Sequence, residues 1–448
     1  MSHRGSEAAS GPVDSSVTKF NWLMDDIILD LEPLQPLKLA VSEYGIMGTT
    51  GRTRVGVAST LSGCHSLHFV DGLVVLQPMI RMQKRLKARF WREQGLPVLI
   101  WWGVCSVAVA ASADDGLLAS QTQPFDPKSA PMRLRVAGHQ LLTEQGKMVR
   151  LRGVNIASLE WSDRGDHLAE AFEQALRQWK ADLIRMPLAQ DRWFGKTPGQ
   201  HDGGAAYRDL VDKLVATCAG AGGYLDLDLH WSDCGKWADE GGRLAQHPMP
   251  DAHSILFWRD VAVRYRNHPQ VIFGLYNEPH DVPWTVWRDG GQVTEPPPKR
   301  ATNQPPIVYQ AAGLQQLYDT VRAVGAGNVV TASGLDWGYD LRGLSQGYAL
   351  SGTNILYETH PYPQKQDWDT SFGQVCRDYA VYVGEWGGRA KDLEYAQRLW
   401  DYMNRRGLSW TAWCFHPFAG PTLIRNWKFE ATEFGQFVKD ALGKQTGD

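Results

Sequence analysis

From about residue 150 onward, short apolar runs alternate with amphipathic stretches. Eight of the runs read as strands: residues 150–155, 181–187, 224–230, 271–276, 328–331, 354–357, 380–384 and 408–413. Runs this short and this apolar, bounded by turn residues, mark buried strands. Between them, residues 167–180, 206–219, 254–265, 306–324 and 390–405 carry the spacing of helices that bury one face. Strand and helix in strict alternation predict a parallel α/β fold. Eight such units in about 300 residues match a (β/α)8 TIM barrel, typically ~250 residues before insertions. Upstream, residues 134–149 read as short strands turning near Gly138 and Gly146, a β-hairpin that would close the barrel bottom. A doubly wound open sheet is the alternative. No Gly-x-Gly-x-x-Gly follows the first strand, so nothing supports a dinucleotide site.

The chain upstream of the barrel is organised differently. Residues 1–78 sustain neither a helical nor a strand period, and two readings compete: a small extra segment, or an upstream start that extends the true protein. From Met79 or Met82 the chain supplies Arg81, Lys84, Arg85, Lys87, Arg89 and Arg92, then an apolar run, then Ala111-Ser112-Ala113. A basic region, an apolar region and a small-x-small site are the three parts of a secretory signal. Residues 79–113 are therefore expected to direct secretion or periplasmic export. The competing reading is a membrane anchor made by the same run, since roughly 18 apolar residues can just span a bilayer. Residues 114–131 read as a linker, and residues 132–448 as the catalytic domain.

Composition narrows the function. With 46 basic and 49 acidic residues the net charge is -3, which offers no electrostatic footprint for nucleic acid. Fifteen of the 19 tryptophans follow residue 113, a surplus that suits flat apolar ligands such as sugar rings. Any single one of them is as readily explained as core. Cys218, Cys234, Cys376 and Cys414 show no CxxC or zinc spacing, so no metal is expected, and a disulfide is left open. No cofactor and no stable membrane partner is expected, and the chain is expected to be a monomer.

Polar residues gather where the strands end. Asn155 closes the first strand and Arg185 lies near the end of the second; His230 and Trp231 end the third. Asn277 and Glu278 follow the fourth, His360 and Tyr362 the sixth, Glu385 and Trp386 the seventh, and Trp413 ends the eighth. In a TIM barrel these ends open on one face, the face that carries catalysis. The stretch from Val271 to His280 runs an apolar strand straight into Asn277-Glu278-Pro279, and Tyr382-Val383-Gly384-Glu385 delivers a second glutamate in the same way. Two carboxyls facing each other across the barrel mouth are the equipment of glycoside hydrolysis. If Arg185 and the Tyr362 hydroxyl reach Glu385, that carboxyl stays ionised. Desolvation and the second carboxylate would raise Glu278, which suits a general acid. Asn277 could bind a sugar 2-hydroxyl. A metal-dependent barrel hydrolase would want His-x-His on the first strand, where Asn155-Ile156-Ala157 stands instead.

At these residues the chain resembles family 5 glycoside hydrolases, the retaining (β/α)8 group that includes cellulases and mannanases. The resemblance covers residues from about 130 to the end. It rests on Arg185, His230, Asn277, Glu278, His360, Tyr362, Glu385 and Trp413 in order, and on Leu151 to Asn155 as the first strand. It implies Glu278 as acid/base and Glu385 as nucleophile, with Arg185 and Tyr362 orienting the latter. It implies further that His230, Asn277 and His360 hold the sugar and that Trp413 lies beneath it, with Trp410 a near competitor. The expected partner is a β-linked polysaccharide or oligosaccharide. A β-1,4-glucan comes first, from the resemblance of His230-Trp231 and His360-Pro361-Tyr362 to cellulase-like members, and a β-mannan second. A non-catalytic sugar-binding barrel would keep the tryptophans but lose a carboxylate. Trp284 and Trp287 either line an aglycone subsite or anchor their loop, and residues 289–305 read as an insertion at the cleft rim.

Overall fold

The computed structural model describes residues 130–297 and 303–444. The upstream segments 1–78 and 79–113 and all but the end of the 114–131 linker lie outside the described residues. The described chain opens on an antiparallel hairpin, β1 (Leu134–Ala137) and β2 (Gln140–Thr143). Four strands follow: β3 (Arg152–Asn155), β4 (Leu183–Ala189), β5 (Tyr224–Trp231) and β6 (Val271–Gly274). A second hairpin, β7 (Gly291–Glu295) and β8 (Ile307–Ala311), interrupts the series. It resumes with β9 (Val330–Ser333), β10 (Ile355–Thr359), β11 (Val381–Val383) and β12 (Ser409–Ala412).

The eight strands outside the two hairpins are parallel and close into a barrel, with β6 beside β9 and β12 returning to β3. All eight runs expected from the sequence are barrel strands. Gly153 shows why small residues recur in them: a Cβ there would sit 1.6 Å from the Leu183 carbonyl oxygen on the neighbouring strand. In the first hairpin, Leu134 and Leu141 pack on Leu151, Leu183, Tyr224 and Ile272, at the N-terminal ends of β3 to β6. The bottom is thus sealed by apolar side chains, and the polar strand ends gather at the opposite face.

The outer core lies between strands and helices. The helix Ala252–Tyr265 illustrates the local logic: the Asp251 side chain accepts from the His253 and Ser254 N–H groups, while Ser254 reaches back to Asp251, closing a capping box. Phe257, Trp258, Val261 and Tyr265 are then buried at helical spacing.

One expectation fails. Residues 306–324 do not form a single helix, because β8 is paired antiparallel with β7 and the helix begins only at Leu314. Val293, Tyr309 and Ala311 pack with Met249, so alternate residues of this hairpin are buried, and the period of two overrides the helical reading. The insertion expected at 289–305 holds β7. The cysteines Cys218, Cys234, Cys376 and Cys414 are free thiols. Among the described residues no helix is long and apolar enough to cross a membrane.

Candidate active site

Arg185 is the hub of the polar end. It is fully buried, and β4 holds it among three carboxylates: Glu385 at 2.8 Å, Glu358 at 2.9 Å and Asp228 at 3.1 Å. It also donates to the side-chain oxygens of Asn277 at 2.8 Å and Asn155 at 3.1 Å. A buried guanidinium is tolerated only with such a shell of acceptors, since an unpaired charge there costs several kcal/mol. Asn155 in turn donates to the Gly384 carbonyl at 2.9 Å, which fixes the backbone that delivers Glu385. Gly384 itself has no room for a side chain: a Cβ would lie 1.7 Å from Glu358 Oε1.

Glu385 receives a second donor, the Tyr362 hydroxyl, at 2.7 Å. Burial works against its ionisation, but the charges of His360, Arg185 and His230 and the Tyr362 hydrogen bond outweigh it, so its carboxyl lies below the usual range. Glu278 behaves oppositely. Burial pushes it up, the His360 hydrogen bond pulls it down, Glu385 pushes it up again, and the net direction is upward. His360 stands between the two, its Nδ1 3.0 Å from Glu278 and 3.9 Å from Glu385. Glu278 and Glu385 each place a carboxyl oxygen within 4.8 Å of the other.

Two histidines are held by the same device. Asp228 precedes His230 by two residues on β5, and Glu358 precedes His360 by two residues at the end of β10, so carboxyl and imidazole share a strand face. The distances are 2.6 Å for His230 Nδ1 to Asp228 and 3.0 Å for His360 Nε2 to Glu358. Burial lowers the His360 pKa, but Glu385, Glu278 and Glu358 together raise it to about 10. Glu358 is correspondingly held at about 2: burial opposes its ionisation, and Arg185 and His360 override it. Asp226, on β5, is driven well above the carboxylate range by burial and by Glu358, against the pull of Arg185.

Arg185, His230, Asn277, Glu278, His360, Tyr362 and Glu385 therefore converge, as the strand-end pattern predicts. Trp413 joins them: its ring stacks on His230 at 5.5 Å, with 15° between the planes. Trp386 and Trp410 do not, because they are buried edge-on against each other in the outer core. Trp231 stands partly buried at the irregularity where β4 and β5 shift register, and none of the cluster contacts above involves it. Trp287 is a loop anchor, fully buried and donating to the Ser333 carbonyl at 2.8 Å, with Trp284 edge-on against it. Asp228, Glu358 and Gln246 belong to the site and escape the strand-end reading. The first two do carry a signal, a carboxylate two residues before each strand-end histidine. Gln246 carries none: it comes from the long loop after β5, accepts from Asn277 at 2.9 Å and donates to the Glu278 carbonyl at 3.3 Å.

The family model described as cellulase (glycosyl hydrolase family 5) matches residues 142–419. Endoglucanase E-5 of Thermobifida fusca is 23% identical over 290 residues, covering 63% of this chain and 55% of that protein. Endoglucanase N of Pectobacterium atrosepticum is 25% identical over 300 residues, covering 63% of this chain and 56% of that protein. The chain thus spans about half the length of these curated relatives. Among solved structures, a beta-glucanase from Saccharophagus degradans in complex with cellotetraose superposes with a TM-score of 0.56 at 25% identity, covering 73% of this chain and 98% of that one.

Proposed function

This chain belongs to glycoside hydrolase family 5, and from that premise we propose that it is a glycosidase that cleaves a β-1,4-linked glucan with retention of anomeric configuration. The observation that carries the proposal is the pair Glu278 and Glu385, with oxygens within 4.8 Å and environments that drive their protonation apart. Retaining enzymes place their two carboxyls about 5–5.5 Å apart, whereas inverting ones leave roughly 6.5–9.5 Å for a water. Glu385, ionised and aimed by Arg185 and Tyr362, attacks the anomeric carbon. Glu278, protonated, donates to the departing oxygen, and then takes a proton from the water that releases the sugar. His360 stands against both carboxyls and keeps them in register through the cycle. Asn277 is held by Arg185 and Gln246, and its amide nitrogen lies 3.3 Å from His230 Nε2, a contact long enough for a sugar 2-hydroxyl to compete. Trp413 offers its face as the platform for the ring in the central subsite.

A glucan is favoured over a mannan by the cellulase family match and by relatives named as endoglucanases. A polymer of that size is met outside the cytoplasm, which fits the signal pattern of residues 79–113. Reducing-end assays on carboxymethyl cellulose, mixed-linkage glucan, glucomannan and xylan test the substrate. The expected order places the two glucans at least about tenfold above xylan, a gap of the size that mismatched hydroxyl contacts in a polar pocket readily produce. Glucomannan as the best substrate would transfer the assignment to a mannanase, and inactivity on all four would remove the endo-glycanase reading.

A further inference from the structure

Behind Glu278, three side chains of metal-ligating type converge where the β7–β8 hairpin meets the long loop after β5. His247 Nδ1 lies 2.5 Å from Glu295 Oε2, and Cys234 Sγ lies 3.8 Å from the same oxygen. All three ligating atoms fall within 4.8 Å of one another. The other imidazole nitrogen, His247 Nε2, is 2.7 Å from the Arg243 carbonyl, and the His247 side chain is completely buried. An imidazole whose far N–H is fixed on a carbonyl presents its remaining nitrogen as a ligand, the usual outer support of a metal-bound histidine. Cys234 is held with φ 59°, a left-handed conformation that a cysteine adopts only when its surroundings impose it. Arg243 faces the other Glu295 oxygen at 3.8 Å, leaving Oε2 as the oxygen turned to the thiol and the imidazole.

We propose that Cys234, His247 and Glu295 form a zinc-binding site that ties the inserted hairpin to the loop behind the acid/base. Thiolate, imidazole and carboxylate together select a borderline-soft ion over calcium or magnesium. A tetrahedral zinc with bonds of about 2.0–2.3 Å separates its ligand atoms by roughly 3.3–3.6 Å, so the three side chains reach it with shifts on the order of 1 Å. The site has no part in the bond-breaking step. It holds the loop whose Gln246 contacts both Asn277 and the Glu278 carbonyl. Beside that loop, His280 Nδ1 donates to the same carbonyl at 2.8 Å, and its ring stacks on Trp337 at 3.5 Å.

Titration of the chelator-treated full chain with Co(II) tests this without reference to activity. The expected result is one equivalent bound, with a thiolate-to-cobalt charge-transfer absorption that zinc abolishes, and a melting temperature raised by zinc. Cys234→Ser loses the absorption and the zinc-dependent rise, and Glu295→Gln, which keeps the thiol, weakens zinc binding by about tenfold or more. Should Cys234→Ser fail to fold, Glu295→Gln carries the comparison. No charge-transfer absorption in the parent protein, an absorption that survives in Cys234→Ser, or equal zinc affinity in Glu295→Gln would overturn the site and leave a hydrogen-bonded clasp centred on Glu295.

Discussion

Glu385→Ala will lower kcat on a β-glucan by about 10⁵-fold or more, the scale on which removal of a covalent nucleophile is felt. At about 1.36 kcal/mol per decade this is roughly 7 kcal/mol of transition-state stabilisation. The loss is chemical rather than structural, because Arg185 keeps Glu358 and Asp228 as partners when Glu385 is gone. Thermal unfolding should accordingly show a folded variant. A small anion such as azide, given a substrate with a good leaving group, can enter the space vacated by the carboxylate. It then attacks from the face Glu385 occupied, and the product is the α-glycosyl azide. Recovery of the β-azide, or turnover near that of the parent, would mean that Glu385 is not the nucleophile.

Glu278→Ala is expected to fail in a different way. General-acid assistance contributes typically about 10²–10⁴-fold, and the loss should approach the upper end for a glucan, whose leaving alkoxide needs a proton. An aryl glycoside with an acidic phenol needs none, so its first step should survive largely intact and the glycosyl-enzyme should accumulate. Azide then attacks that intermediate from the opposite face and gives the β-azide. The pH profile carries a second signature. Burial and Glu385 raise Glu278, so the parent protein loses activity as pH rises through that group. Glu385 is lowered, so activity is lost at the acid end as pH falls through it. With the aryl substrate, Glu278→Ala should lose the alkaline limb and keep the acid one. An unchanged alkaline limb would assign it to another group.

Much of this site is legible in the chain because a barrel strand announces its own end. Apolar runs such as Val271 to Tyr276 stop at polar side chains, and the fold sends all those ends to one face. What the sequence hides is whatever depends on a neighbour distant in the chain. Trp410 and Trp413 look alike in the sequence, and only packing separates the one against Trp386 from the one on His230. Gln246 sits in a loop with no period at all, and its contact with Asn277 spans 31 residues. The strand β8 reads as the start of a helix because Ile307 to Ala311 is short and a true helix follows almost at once. Its strand character comes from pairing with residues 291–295, which no local pattern reveals. The glutamate that the hairpin carries, Glu295, takes on meaning only beside Cys234 and His247.

The stereochemistry of hydrolysis separates a double displacement through Glu385 from a single displacement by water. Proton NMR of a cello-oligosaccharide, recorded within the first minutes after the protein is added, reports the anomer released before mutarotation mixes the two forms. With Glu278 and Glu385 as close as they are, the β-anomer signal should rise first above the substrate's own equilibrium mixture, and the α-anomer signal only later. The α-anomer appearing first would contradict a double displacement through Glu385.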